Sequence, residues 1–252
     1  MSISLIGLAL LVGASIGLTL GMLGGGGSIL TVPALVYVLG LSAHDATTSS
    51  LVIVGLNAAF GAWLNCRRGP CMLRHAFVFG GIGLGAAFLG ARVSQYIPEV
   101  WLLTMFGSLM LIIGSMMLRP KVQAKTDEQT IAWPAVVMGG LGVGFLTGFL
   151  GVGGGFLIVP ALVLLLHMPM RTAISSSLIV IALNSSAGIL GHLQGSHFDW
   201  TLIGLIISGG VIGNLLGTRF AQKIQVQTLQ RSFAFFVIAL GIFLVIKNFP
   251  LA

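Results

Sequence analysis

The chain contains itself twice. GMLGGGGSILTVP, from Gly21 to Pro33, returns as GFLGVGGGFLIVP from Gly148 to Pro160, a displacement of 127 residues. Held without a gap, that displacement also pairs Asn57 with Asn184, Gly90 with Gly217, Arg92 with Arg219 and Gly114 with Gly241. About thirty of roughly 106 aligned positions between Gly13 and Leu118 are identical, about three times what a chain this rich in Gly and Leu gives by chance. Whatever fold the first half takes, the second half takes as well. Each half carries one glycine turn, and function is to be sought where the two turns meet.

What surrounds those turns is oil. The 252 residues are 56% hydrophobic and 7% charged, with 37 glycines and a mean hydropathy of +1.08, outside the range of soluble domains. Gly is tolerated in membrane helices, where close backbone approach replaces hydrophobic burial as the packing force. The net charge of +7 does not imply nucleic acid, because the twelve basic residues stand in ones to threes between apolar runs and form no stripe. The first apolar run has neither a basic leader nor a small-residue cleavage pattern, so it reads as a retained span.

Apolar runs fall near 2–23, 28–41, 46–64, 76–96 and 100–118, and again near 131–150, 155–167, 172–191, 200–220 and 229–249. Five segments per half is an odd number, so two similar halves must lie in opposite orientations about a pseudo-two-fold axis in the membrane plane. The expected fold is an all-α polytopic membrane protein of two inverted five-segment repeats, with about ten transmembrane or re-entrant helices. The repeats are residues 1–118 and 131–252, joined by a polar linker at 119–130.

Loop charge fixes the orientation. With the N-terminus outside, Arg67, Arg68, Arg74, Arg119, Lys121, Lys125, Arg171, Arg219, Lys223 and Arg231 are cytoplasmic, and only Arg92 and Lys247 lie outside. Four crossings per half would divide the same residues seven against five. The second segment of each half, about 14 residues or roughly 21 Å as a helix, is too short for a core of about 30 Å. The glycine turn before it is therefore expected at membrane depth, at the tip of a hairpin.

Irregular backbone at that depth must be buried in protein or line a watery cavity. Gly24, Gly26, Gly27 and Ser28 in the first turn, and Gly151, Gly153, Gly154 and Gly155 in the second, open onto helix starts, where free N–H groups and the helix dipole favour an anion. The alternative is that these glycines serve only tight turns and helix packing. Hydroxyl clusters follow each turn, and from them Ser49, Ser50, Ser176 and Ser177 are candidate neutral donors. Asn57 and Asn184 are an equivalent pair expected deep in the membrane, suited either to substrate contact or to bonding between helices. Arg92 and Arg219 close equivalent segments, where they steer an anion into either mouth or anchor the helix at the interface.

The acidic residues are Asp45, Glu99, Asp127, Glu128 and Asp199, all at segment ends or in the linker. A cation carrier usually needs a carboxylate at mid-membrane. Cys66 and Cys71, in CRRGPC, match neither a zinc site nor a redox C-x-x-C, and in the reducing cytoplasm no disulfide is expected between them. No metal-ligand spacing, catalytic triad or nucleotide-binding loop stands out, so no cofactor and no catalysis are expected.

The two modules GMLGGGGSILTVPAL and GFLGVGGGFLIVPAL, with GAR and GTR closing the later glycine-rich segments, resemble the sulfite exporter TauE/SafE family of bacterial membrane proteins. The resemblance covers nearly the whole chain. It implies movement of a small sulfur oxyanion or organosulfonate across the cytoplasmic membrane, with the lipid bilayer as the other partner and a homo-oligomer left open. The expected function is secondary transport, most simply export. A membrane thiol oxidoreductase using Cys66 and Cys71, or a carrier of another small solute, are the alternatives.

Overall fold

The computed structural model describes residues 3–68, 71–118, 133–150, 155–166, 168–192, 198–221 and 226–248. These fold into helices: α1 (Ile3–Leu23), a 3-10 segment (Gly24–Leu30), α2 (Thr31–Tyr37), α3 (Ala43–Arg68), α4 (Leu73–Ser94), α5 (Glu99–Leu118), α6 (Trp133–Leu150), α7 (Gly155–Leu165), α8 (Met170–His192), α9 (Trp200–Ala221) and α10 (Val226–Asn248). Among the described residues, α1, α3, α4, α8 and α9 each hold a stretch long and apolar enough to cross a membrane. α5, α6 and α10 run to 20, 18 and 23 residues. Large apolar side chains such as Leu11, Met138, Leu190 and Ile246 lie exposed on the helices, which suits lipid as the outer solvent. The linker 119–130 lies outside the described residues.

Glycines determine which helices touch. Gly13, Gly17 and Gly21 on α1, spaced one helical turn apart, lie against the backbone of Ile206, Gly210 and Asn214 on α9. Gly140, Gly144 and Gly148 on α6 lie against Phe79, Gly83 and Ala87 on α4. Numbers rise together in both pairs, so each pair is parallel. Adding 127 to every residue of α1 in the first contact gives α6 in the second, and subtracting it from α9 gives α4. In the absence of water, backbones this close gain dispersion contacts that larger side chains would hold apart.

Two further pairs join equivalent helices. Gly55 faces Ser185 while Gly188 faces Leu51, so α3 and α8 run antiparallel. Gly107 meets Leu244 and Gly114 meets Ile238, so α5 and α10 are antiparallel as well. Around α3 and α8 sits the larger core, with Ile53, Val54, Leu178, Val180 and Ile206 fully buried, and a second core forms where Phe106 and Met110 meet Val237 and Leu244.

Helix ends follow local chemistry. Asp45 and Ser42 cap α3 reciprocally: the Ser42 hydroxyl donates to Asp45 Oδ2 at 2.8 Å, and the Asp45 N–H donates to Ser42 Oγ at 3.1 Å. Asp199 accepts from the N–H groups of Thr201 and Leu202 at the start of α9. These two carboxylates, expected at segment ends, serve as caps. Gly40, at φ +73°, ends α2, and the Leu41 N–H reaches back to the Leu35 carbonyl at 3.0 Å, a wrap that left-handed backbone makes available.

Candidate functional site

The first glycine turn reverses the chain at Gly24, whose φ of +64° suits glycine. A Cβ there would also meet the Ile174 carbonyl oxygen at 2.7 Å. From Gly24 the backbone winds directly into the 3-10 segment and on into α2, so Gly24, Gly26, Gly27 and Ser28, expected as a turn opening onto a helix start, are themselves helical. The Ser28 hydroxyl donates to the Gly25 carbonyl at 2.8 Å, and the Gly25 N–H donates to Ser177 Oγ at 3.2 Å. Ser177 lies seven residues into α8, about 10 Å along its axis, so the reversal sits well inside the helix bundle. α1 agrees: Gly21, two residues from its end, meets Asn214, seven residues from the end of α9.

Gly25 abuts Gly155, backbone on backbone, and a Cβ on either would overlap the other. The first turn therefore meets the start of α7, the helix that follows the second turn. Gly155 itself is buried, while Gly151, Gly153 and Gly154 lie outside the described residues. Gly25 escapes a search for positions shared by both repeats, because its equivalent is Val152.

The hydroxyl clusters divide. Ser177 donates to the Ile174 carbonyl and accepts from Gly25, and Ser176 accepts from the Met72 N–H at 3.1 Å, tying the approach to α4 onto α8. Ser50 donates to the Thr47 carbonyl, and Ser49 is buried beside it. Helical hydroxyls in this molecule usually bond back to their own helix, as Thr19, Ser94, Thr147, Ser175, Ser186 and Thr218 do. Among the described residues, Thr31, Thr47 and Ser185 are instead buried with their side-chain oxygens unpartnered.

The asparagines stand closest to a centre. With Gly55 opposite Ser185 and Leu51 opposite Gly188, the α3–α8 register puts Asn57 and Asn184 within about one residue, or ~1.5 Å, of the same level. Both are fully buried. Asn57 lies over Gly210 of α9, and Asn184 lies over Gly83 of α4, where a Cβ would come within 2.8 Å of its Oδ1.

Their bonding differs. Asn57 Nδ2 donates to the Ile53 carbonyl at 2.9 Å, and the Asn57 carbonyl accepts from Asn214 Nδ2 at 3.1 Å. Thr218 in turn donates to the Asn214 carbonyl at 2.6 Å. The positions equivalent to Asn214 and Thr218 are Ala87 and Ala91, so Asn184 has no such neighbours. Its Oδ1 and Nδ2 are both unpartnered, as is Asn57 Oδ1. A buried amide with neither end satisfied costs about 1–3 kcal/mol per group and calls for a ligand or water.

No Lys, Arg, His, Asp or Glu is buried among the described residues. Arg92 and Arg219 lie in the last turns of α4 and α9, Arg92 with its guanidinium 5.5 Å from the Phe88 ring and Arg219 exposed. Both are remote from the α3–α8 crossing. Contrary to the sequence expectation, Cys66 and Cys71 are joined in a disulfide. Only a short connection separates the end of α3 from the start of α4, and it brings the two Cα atoms to 5.2 Å, within bridging range.

The family model for the sulfite exporter TauE/SafE matches residues 9–244. A "Probable membrane transporter protein" of Xylella fastidiosa (strain 9a5c) is 36% identical over 243 residues, covering 94% of this chain and 93% of that one. "Probable membrane transporter protein YdhB" of Bacillus subtilis is 23% identical over 219 residues, covering 84% and 89%. In Methanocaldococcus jannaschii, "Probable membrane transporter protein MJ0441" is 25% identical over 198 residues, covering 76% and 74%. No solved structure matches the chain. Glycine-packed apolar helices, a polar centre buried where α3 crosses α8, and a match along nearly the whole length agree: the chain is a multi-pass membrane transporter of the sulfite exporter TauE/SafE family.

Proposed function

We propose that the chain is a secondary transporter that exports a small sulfur oxyanion or organosulfonate across the cytoplasmic membrane. Its two halves, 1–118 and 131–252, are inverted repeats with the N-terminus outside, and they rock about the α3–α8 crossing to open the centre to one face at a time. One observation carries the reading. Equivalent asparagines lie at one level of that crossing, Asn57 against α9 and Asn184 against α4, buried and with polar atoms unpartnered, in an interior whose described part holds no buried charge. Asn184 Nδ2 is the unpartnered donor of the pair, and a neutral donor holds an anion without the carboxylate a cation would need. The antiparallel pairing of α3 with α8 and of α5 with α10 is what inverted halves predict. Because both asparagines are fully buried, the conformation described is closed at the centre, and helix movement must precede binding or release.

The Cys66–Cys71 disulfide favours a second reading, thiol–disulfide exchange at the membrane surface. One experiment separates the two. Purified protein in proteoliposomes is expected to take up radiolabelled sulfite, and the Cys66→Ser/Cys71→Ser double variant to do so at the same rate. Uptake lost in the double variant would favour the redox reading, and uptake absent from the wild type would overturn the transport reading.

A further inference from the structure

Resting on the transport reading above, we infer that the substrate sits on the α8 side of the crossing, held by Asn184 and Ser185, and that it carries one negative charge. The two halves are not equal partners. Asn57 Nδ2 donates to its own helix, and Asn214 of α9 donates to the Asn57 backbone carbonyl. Asn184 and its neighbour Ser185 are wholly buried and have all three side-chain polar atoms unpartnered. Asn184 Nδ2 and the Ser185 hydroxyl are donors, the polarity an oxyanion requires. Asn184 packs directly on Gly83 of α4 and Ser185 on Gly55 of α3, so the ligand takes this place only once the helix movement of the transport cycle parts α8 from them.

The repeat explains why this half was left open. Ala58 stands where Ser185 has its equivalent, and Ala87 stands where α9 has Asn214. Asn57 of the first half is thus braced by Asn214 of the second, while Asn184 has alanine at the equivalent of that brace and a hydroxyl donor beside it.

Charge follows from the same surroundings. With no buried cation among the described residues, the anion is stabilised by amide and hydroxyl dipoles alone. The cost of moving an ion out of water rises with the square of its charge, so a dianion costs about four times as much as a monoanion. Within the sulfur anions of the transport reading, the site therefore selects the monoanion, a sulfonate R–SO₃⁻ or hydrogensulfite, over sulfate.

The test uses full-length protein in detergent, radiolabelled methanesulfonate as the probe and sulfate as the competitor, two tetrahedral sulfur oxyanions that differ in charge. Wild type is expected to bind methanesulfonate, and sulfate is expected not to displace it. Asn184→Ala loses affinity about ten- to hundred-fold, the worth of one hydrogen bond to a charged group, while its Tm stays level or rises because an unpartnered amide has gone. Ser185→Ala, which only removes a hydroxyl opposite glycine, moves affinity the same way. Asn214→Ala is expected to lower Tm and keep affinity. Displacement by sulfate, wild-type affinity in Asn184→Ala and Ser185→Ala, or failure of Asn184→Ala to fold overturns the inference while wild-type binding leaves the transport reading standing. Wild type that binds no sulfur anion overturns both.

Discussion

Gly17→Val is expected to abolish recovery of folded protein from the membrane, Gly144→Val is expected to do the same, and Gly204→Ala is expected to be harmless. At Gly17 a Cβ would lie on the carbonyl of Gly210, and at Gly144 it would lie on that of Gly83. The obstacle in each case is backbone, which cannot rotate aside as a side chain can. Relief requires α1 to lift off α9, or α6 off α4, and that opens the contacts at Gly13 and Gly21, or at Gly140 and Gly148, as well. The cost belongs at or above the ~3 kcal/mol upper range of core overpacking, against a total stability of about 5–15 kcal/mol. A Cβ at Gly204 would meet nothing within 4 Å, so alanine there gains helix propensity of about 0.8–1.0 kcal/mol. Detergent-stable yield and thermal unfolding separate the two classes. Folded Gly17→Val at wild-type yield would mean that the α1–α9 packing is wrong.

The second large effect is all-or-none. In a Cys66→Ser/Cys71→Ser background, Arg92→Cys is expected to react with a membrane-impermeant maleimide from outside intact cells, and Arg219→Cys only after the membrane is breached. These positions are equivalent in the duplication and end equivalent helices, α4 and α9. If the halves are inverted they lie on opposite faces. Labelling of both from one face would remove the pseudo-two-fold axis, and with it the rocking mechanism.

Much of the frame is legible in the sequence because a duplication reports on three dimensions. An odd number of segments predicts inversion, which the labelling above tests, and a short second segment predicts a glycine turn inside the bundle, where the buried Gly25–Ser177 bond lies. The glycine stretch is harder to read, because four glycines have poor helix propensity and suggest a loop. Packing against α8 and the Gly155 backbone overrides that propensity. Ser176 and Ser177 are legible as buried hydroxyls, yet nothing in the sequence says that their oxygens accept from the backbone N–H groups of Met72 and Gly25. Ser185 escapes notice for the opposite reason, since a helical serine ordinarily bonds to its own helix and only the structure identifies an exception. The replacement of Asn214 by Ala87 between repeats is visible in the sequence, but it acquires meaning only once α9 is known to lie beside Asn57.

The central claim is that one buried site at the α3–α8 crossing serves both faces of the membrane. It is tested most directly by Ser185→Cys in the cysteine-free background, reconstituted into proteoliposomes and exposed to an anionic, membrane-impermeant methanethiosulfonate. The reagent is expected to modify the residue when added outside, and equally when trapped inside, with methanesulfonate slowing both reactions. Modification from one face alone, or at a rate indifferent to methanesulfonate, would contradict the account.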